Sequence, residues 1–139
     1  MARVGRRSNG PVGENAPVAE NDRCPCGSGA SYGSCCGPAH AGAPVAGAEA
    51  LMRSRFSAFV LGLPDYLLAS WHPSTRPADL DLDGDLTWRR LQIVDSTADT
   101  VEFRASYRNA DGAGLLHERS RFVRQNGHWF YLDGEILNA

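Results

Sequence analysis

Every cysteine of the chain lies in one stretch, "CPCGSGASYGSCC", from Cys24 to Cys36. The order is Cys24-x-Cys26, eight intervening residues, then the adjacent pair Cys35-Cys36. Two short thiol pairs that close a turn supply the four soft ligands of a tetrahedral ion, and zinc suits that donor set best. Gly27, Ser28 and Gly29 permit tight turns whose N–H groups can face thiolate sulfur. An iron–sulfur centre, another metal and redox use of the thiols are the alternatives. Disulfides fit poorly, because a vicinal Cys35–Cys36 bridge is strained, Cys24–Cys26 closes too small a ring, and no Cys-x-x-Cys spacing is present. Four protein thiolates leave no open coordination position, so one structural zinc ion at Cys24, Cys26, Cys35 and Cys36 is expected, unable to activate water. His40, four residues past Cys36, reads as an exposed linker histidine.

A second candidate comes from strand phase. Over Thr100–Arg108 the apolar residues alternate as Val101, Phe103, Ala105 and Tyr107; on the next strand Leu116 and Phe122 share a face with Glu118 and Ser120. Glu118 therefore falls where a core residue belongs, and a carboxylate there must be paired or poised. Arg53, Arg55 or His72 are its candidate partners. The simpler reading is an ion pair tying helix to sheet. "DLDLDGD" (79–85) imitates the start of a calcium loop, but position 12 would be Arg90 where a bidentate glutamate is required. Arg53 and Arg55 are two apart and do not share a helix face, so they make no phosphate pair. Neither a Gly-rich phosphate loop nor an RNA-binding aromatic signature occurs, and nucleic acid is not expected.

These residues need elements to hold them. The chain has 139 residues and a net charge of −2, enough for one domain with a small appendage and too neutral to call for nucleic acid or an anionic membrane. Residues 1–22 are rich in Gly, Pro, Asn and Arg without a hydrophobic period, and read as a disordered tail. Residues 23–38 form the knuckle and 39–47 a small-residue linker. From Ala48 the period is helical, with Met52, Phe56, Phe59, Val60 and Leu63 on one face. Gly62 and Pro64 end that helix, and Pro64 opens a second, to Trp71. The period then changes to two, giving strands near Thr87–Asp95, Thr100–Arg108, Leu115–Arg124 and His128–Asp133, with Asn126-Gly127 the clearest hairpin turn. Residues 48–139 are thus an α+β domain, helices packed on an antiparallel meander. No apolar run suits a membrane span and no secretory signal opens the chain, so a cytoplasmic, reducing location is expected.

With the residues laid out, a resemblance appears. "CPCGSGxxYxxCCGP" resembles the SEC-C motif, best known at the C-terminus of the translocase motor SecA. "LMRSRFSAFVLGLPDYLLASWHPSTRP", "WRRLQIVD", "VEFRASY" and "LHERSRFVRQNGHWFYLDGE" are similar to the small bacterial YchJ-like family, over about residues 23–135. The resemblance implies a SEC-C zinc motif joined to a cone-like domain of the nuclear transport factor and SnoaL-like type, with a strongly curved sheet and room for a pocket. It also implies an adaptor for a protein or small-molecule ligand, with two alternatives: a SnoaL-like enzyme whose acid–base pair would be Glu118 with His72, in a pocket rimmed by Tyr66, Trp71, Tyr107 and Tyr131, and a ribosome- or translocase-associated factor. Domains of this cone type often pair through the sheet, so a homodimer is compatible with it. Two departures matter: SecA-type motifs commonly end in Cys-His where this chain has Cys35-Cys36, and many carry Lys-Lys where it has Ala30-Ser31. Without that charge, attraction to acidic partners or headgroups weakens.

Overall fold

The computed structural model describes residues 18–82 and 84–138. Most of the tail (1–17) and Asp83 of the acidic loop lie outside the described residues. A 3-10 turn (Tyr32–Ser34) leads into α1 (Cys36–His40), followed by α2 (Ala48–Leu61), α3 (Pro64–Ala69) and four strands, β1 (Thr87–Ser96), β2 (Thr100–Asn109), β3 (Gly112–Gln125) and β4 (His128–Ile136). Strand order in the sheet follows chain order, β1-β2-β3-β4, every pair antiparallel. Asn126 and Gly127 both take positive φ, 54° and 80°, the backbone a two-residue hairpin turn demands.

The sheet is curved because its ladders slip. Register shifts fall between Trp88 and Arg90, between Ile93 and Asp95, and where Arg121 gives way to Phe122. Each adds local twist and bends the strand that carries the extra residue. The concave face presents Val101, Phe103, Ala105, Leu116, Glu118, Ser120, Phe122 and Tyr131, all buried. At Gly114 any Cβ would drive into the ring of Tyr107, so glycine there is what lets Tyr107 lie flat over β3.

Helix α2 fills the concavity. It packs against β1, β2 and β4 on one side and against α1 and α3 on others. Its core residues Leu51, Met52, Phe56, Ala58 and Phe59 meet the sheet, while Ser54, Arg55 and Ser57 are buried too. No residue of α2 is exposed. Gly62 closes it in the left-handed conformation, φ 71°, and the Gly62 and Leu63 N–H groups both reach the Ala58 carbonyl. Helix α3 stops at Ala69, short of the expected Trp71. Ser70–His72 instead runs beside β4, the Tyr131 N–H donating to Ser70 O and the His72 N–H to Tyr131 O. Strand-type bonding to an open sheet edge outweighs one more half-turn of a six-residue helix.

Two boundaries differ from the sequence reading. Residues 18–22 lie against the knuckle, with the Tyr32 N–H on Asp22 O and the Gly33 N–H on Glu20 O. The 39–47 stretch begins inside α1, and His40 is half-buried rather than exposed.

Candidate metal centre and its surroundings

The knuckle is built by two tight turns. Gly27 and Gly29 take φ of 81° and 90°, and backbone bonds from Cys24 N–H to Ala30 O and Gly27 N–H to Cys24 O pull the first cysteine pair inward. The 3-10 turn and α1 deliver the second pair. The four Sγ atoms all lie within 4.8 Å of one another, with Cys26 to Cys35 at 3.5 Å and Cys35 to Cys36 at 3.9 Å. Cys24, Cys26 and Cys36 are buried and Cys35 is half-buried. None is in a disulfide.

Such a cluster carries an electrostatic problem that a cation solves. Hydrogen bonds from Cys24 and then Cys36 hold the Cys26 thiol far below its ordinary value. The contacts with Cys24 and Cys26, then burial, push Cys36 far above it, and burial pushes Cys35 up. Packed this closely, the thiols share protons instead of ionising together. A metal ion replaces those protons and lets all four act as thiolates. The donor set and spacing fit a metal ion with no position left for a substrate.

The surroundings come from α2, which the sequence reading did not connect to the cysteines. Ser57 Oγ donates to Cys36 Sγ at 3.3 Å and lies 3.6 Å from Cys24 Sγ. Ser28 Oγ is 3.2 Å from Cys35 Sγ. Arg53 donates to the Cys26 carbonyl at 3.1 Å, reaches within 4.0 Å of its sulfur, and pairs with Glu49. Ser57 one turn past Arg53 on the same helix was the available signal, but it names no partner 21 and 33 residues away. Ser57→Ala should weaken metal affinity about tenfold, the usual cost of removing an outer hydrogen bond to a ligand, read by competition with a chromogenic chelator.

His40 ties the knuckle to the domain. Its Nε2 is 2.8 Å from Ser54 O, which can only accept, so the proton sits on Nε2. Nδ1 then accepts from the Tyr32 hydroxyl at 2.6 Å. The ring also meets Tyr66 edge-on, 4.7 Å between centroids, and the Tyr66 hydroxyl bonds Ser54 Oγ. Burial lowers the pKa of His40 below its ordinary 6.5. Because the unfolded chain takes up that proton first, stability from this contact is complete above about pH 6.5 and declines as pH falls. His40→Gln should flatten the stability difference between pH 7 and pH 5, checked by denaturant melts at both.

Arg55 and Glu118 occupy the centre of the cone. The fully buried Arg55 guanidinium donates to Leu67 O and Ser70 Oγ, both at 2.7 Å, and lies over the rings of Tyr131 (4.5 Å) and Trp71 (5.2 Å). Burial pulls its pKa down to about 10, and attraction to Tyr131, Tyr66 and Glu118 opposes that, so it stays cationic at neutral pH. Glu118 accepts from Ser120 Oγ at 2.7 Å and packs on Gly134, where any Cβ would strike its carboxylate. Burial, then the Glu118 charge, raises the Tyr131 hydroxyl above its ordinary value.

The structure does not assemble the other sequence candidates into one pocket. His72 bonds Ser74 Oγ at 2.7 Å and Gln125 Oε1 at 2.6 Å, whereas the Glu118 carboxylate bonds Ser120. Trp71 and Tyr131 are packed edge to face in the core, and Tyr107 stacks toward Trp88 over Gly114. Tyr66 borders a groove beside α3 whose lining includes none of Trp71, Tyr107 and Tyr131.

Known proteins carry the same arrangement. The SEC-C motif model matches residues 21–38, and the model described as YchJ, middle NTF2-like domain matches residues 47–134. A UPF0225 protein of Xanthomonas campestris pv. campestris is 52% identical over 126 residues, covering 85% of this chain and 98% of the relative. One from Streptomyces coelicolor is 54% identical over 123 residues, covering 83% and 96%. Among solved structures, a SEC-C motif containing protein from Rhodopseudomonas palustris has a TM-score of 0.73 at 33% identity, over 83% of this chain and 98% of that one. Another from Psychrobacter arcticus has a TM-score of 0.68 at 26% identity, over 86% and 85%. No helix among the described residues is long and apolar enough to cross a membrane. Four clustered cysteines on an N-terminal knuckle, docked on a helix that fills a curved four-stranded sheet, make this chain a member of the YchJ-like UPF0225 family, in which a SEC-C motif is joined to an NTF2-like domain.

Proposed function

We propose that the protein is a non-catalytic binding module, an adaptor for another protein or a small ligand, whose knuckle holds one structural zinc ion. The carrying observation is the closed thiol shell: sulfur separations of 3.5 and 3.9 Å bracket the roughly 3.8 Å that a tetrahedral ion with ~2.3 Å Zn–S bonds imposes. Ser57, Ser28 and Arg53 surround the shell with hydrogen-bond donors, the second layer that such an ion needs. The cone interior supports the non-catalytic half of the reading. Arg55, Phe56, Phe103, Val101 and Tyr131 are fully buried there and occupy the space where an acid–base site would hold substrate.

Paired native and denaturing mass spectra of the untagged protein, purified without added metal, test both halves. One zinc per chain, lost on denaturation, is the expected result. A metal-free native protein with reduced thiols would remove the zinc assignment. A small molecule retained natively would select the small-ligand form of the module, and its conversion to product, abolished by Glu118→Gln, would move the reading to the acid–base enzyme.

A further inference from the structure

A groove of about 620 Å³ runs between the segment that follows the knuckle, α3 and the β3–β4 hairpin. One wall is the segment from Ala39 to Val45, whose alanines and Gly42 leave room; α3 supplies Tyr66 and Ala69 opposite, and the β3–β4 hairpin closes one end with Trp129 and Phe130. We infer that this groove docks an extended segment of a partner protein that carries an apolar side chain next to a lysine or arginine. The inference deepens the binding-module reading and rests on it.

Three observations select that occupant. The polar side chains on the His40 and α3 walls are already engaged within the chain: both nitrogens of His40, the Tyr66 hydroxyl on Ser54, and Ser70 Oγ on the Tyr66 and Leu67 carbonyls, which leaves His128 and the Trp129 indole at the hairpin end. A polar metabolite needs a few convergent donors and acceptors to orient it, whereas a peptide anchor needs only a dry, shaped slot for its side chain. Charge decides the flanking residue. Asp65, exposed at the groove edge, carries the one full charge among the lining residues, although the chain holds 14 arginines. A lysine or arginine beside the anchor meets that carboxylate and can lie over Trp129 or Phe130. The volume accommodates two or three side chains.

The groove is also tied to the metal centre. Its first wall starts three residues after the last cysteine and is folded back on α1 by the Ala41, Gly42 and Ala43 N–H groups, which donate to Gly37, Pro38 and Ala39 carbonyls. Losing the knuckle removes that wall, so metal removal should release the bound segment.

The test selects a phage-displayed random 12-residue peptide library on the metal-loaded full chain. Enriched peptides are then measured by fluorescence anisotropy on the wild type, Asp65→Lys and Ala69→Trp. Both positions are exposed, so the variants change the groove and not the core. Enrichment of a Leu, Ile, Phe or Trp beside Lys or Arg, with at least tenfold weaker binding to each variant, is the expected result. Peptides that bind both variants as well as the wild type overturn the groove and leave the module reading standing. Failure to enrich any sequence overturns the groove, and the mass spectra then decide the module reading independently. Dimerisation that Ala69→Trp abolishes would assign the groove to a second copy and overturn the proposal.

Discussion

Cys26→Ser should abolish metal binding and lower the melting temperature by at least about 10 °C. The cysteine cluster is a satellite core of its own, with Cys24, Cys26 and Cys36 buried. Without one ligand, the remaining thiolates sit together unneutralised or protonated, and the turns that hold them have little apolar surface to replace the lost bonds. Metal binding in small cysteine sites supplies most of their folding free energy, about 10–16 kcal/mol in isolated zinc-finger peptides. Here the knuckle is only part of the fold, so a fraction of that is at stake. Yet it covers Ser57 and Arg53 of α2, and losing it exposes one side of the central helix. A loss of even ~3 kcal/mol corresponds to about 6–12 °C in a domain of this size. Differential scanning fluorimetry alongside metal analysis checks the outcome. A variant that loses the ion but melts within about 2 °C of the wild type would show that the knuckle is independent of the domain.

Arg55→Met should destabilise the fold by about 3–5 kcal/mol, while Arg55→Met combined with Glu118→Gln should recover a substantial part. Removing one charge of a buried set leaves the other without compensation, which is the expensive half of the transaction. Arg55 also donates to Leu67 O and Ser70 Oγ and lies on two aromatic faces, so methionine restores volume but none of those contacts. The second substitution removes the charge that Arg55 opposes. The coupling energy from urea denaturation of the wild type, both single variants and the double variant is the readout, expected at about 0.5–3 kcal/mol. Strict additivity would mean that Arg55 and Glu118 stabilise the core separately. The cycle also bears on catalysis, because a strut and a general base differ in whether the partner's removal is rescued by neutralising the carboxylate.

Much of this architecture is legible in local pattern. Alternation on β2 and β3 places Glu118 and Ser120 on the buried face without any knowledge of what covers it, because period two depends only on the pleat. Asn126-Gly127 declares its turn for an equally local reason. The cysteines identify themselves by type and spacing. What stays hidden is whatever depends on a third element. Arg55 could be named as a partner for Glu118, but the burial of Ser54 and Ser57 beside it depends on the knuckle and α3, which cover that side of α2. His40 looks like a linker residue because nothing in its neighbours announces Tyr32 and Ser54. The groove beside α3 was not foreseen either, because its walls come from segments distant in sequence.

The burial of α2 on every side bears on the order in which the chain is made. Its cover on one side, the knuckle, precedes it in the sequence, whereas the sheet that takes its apolar residues is not complete until Ile136. A ribosome therefore releases the cysteines first, then the helix, and only afterwards the four strands, which zip with nearest neighbours as each arrives. Metal captured early gives the helix a partner while its main one is still being synthesised. Metal supply during translation, rather than after it, is then the condition under which the nascent chain spends least time with that helix uncovered.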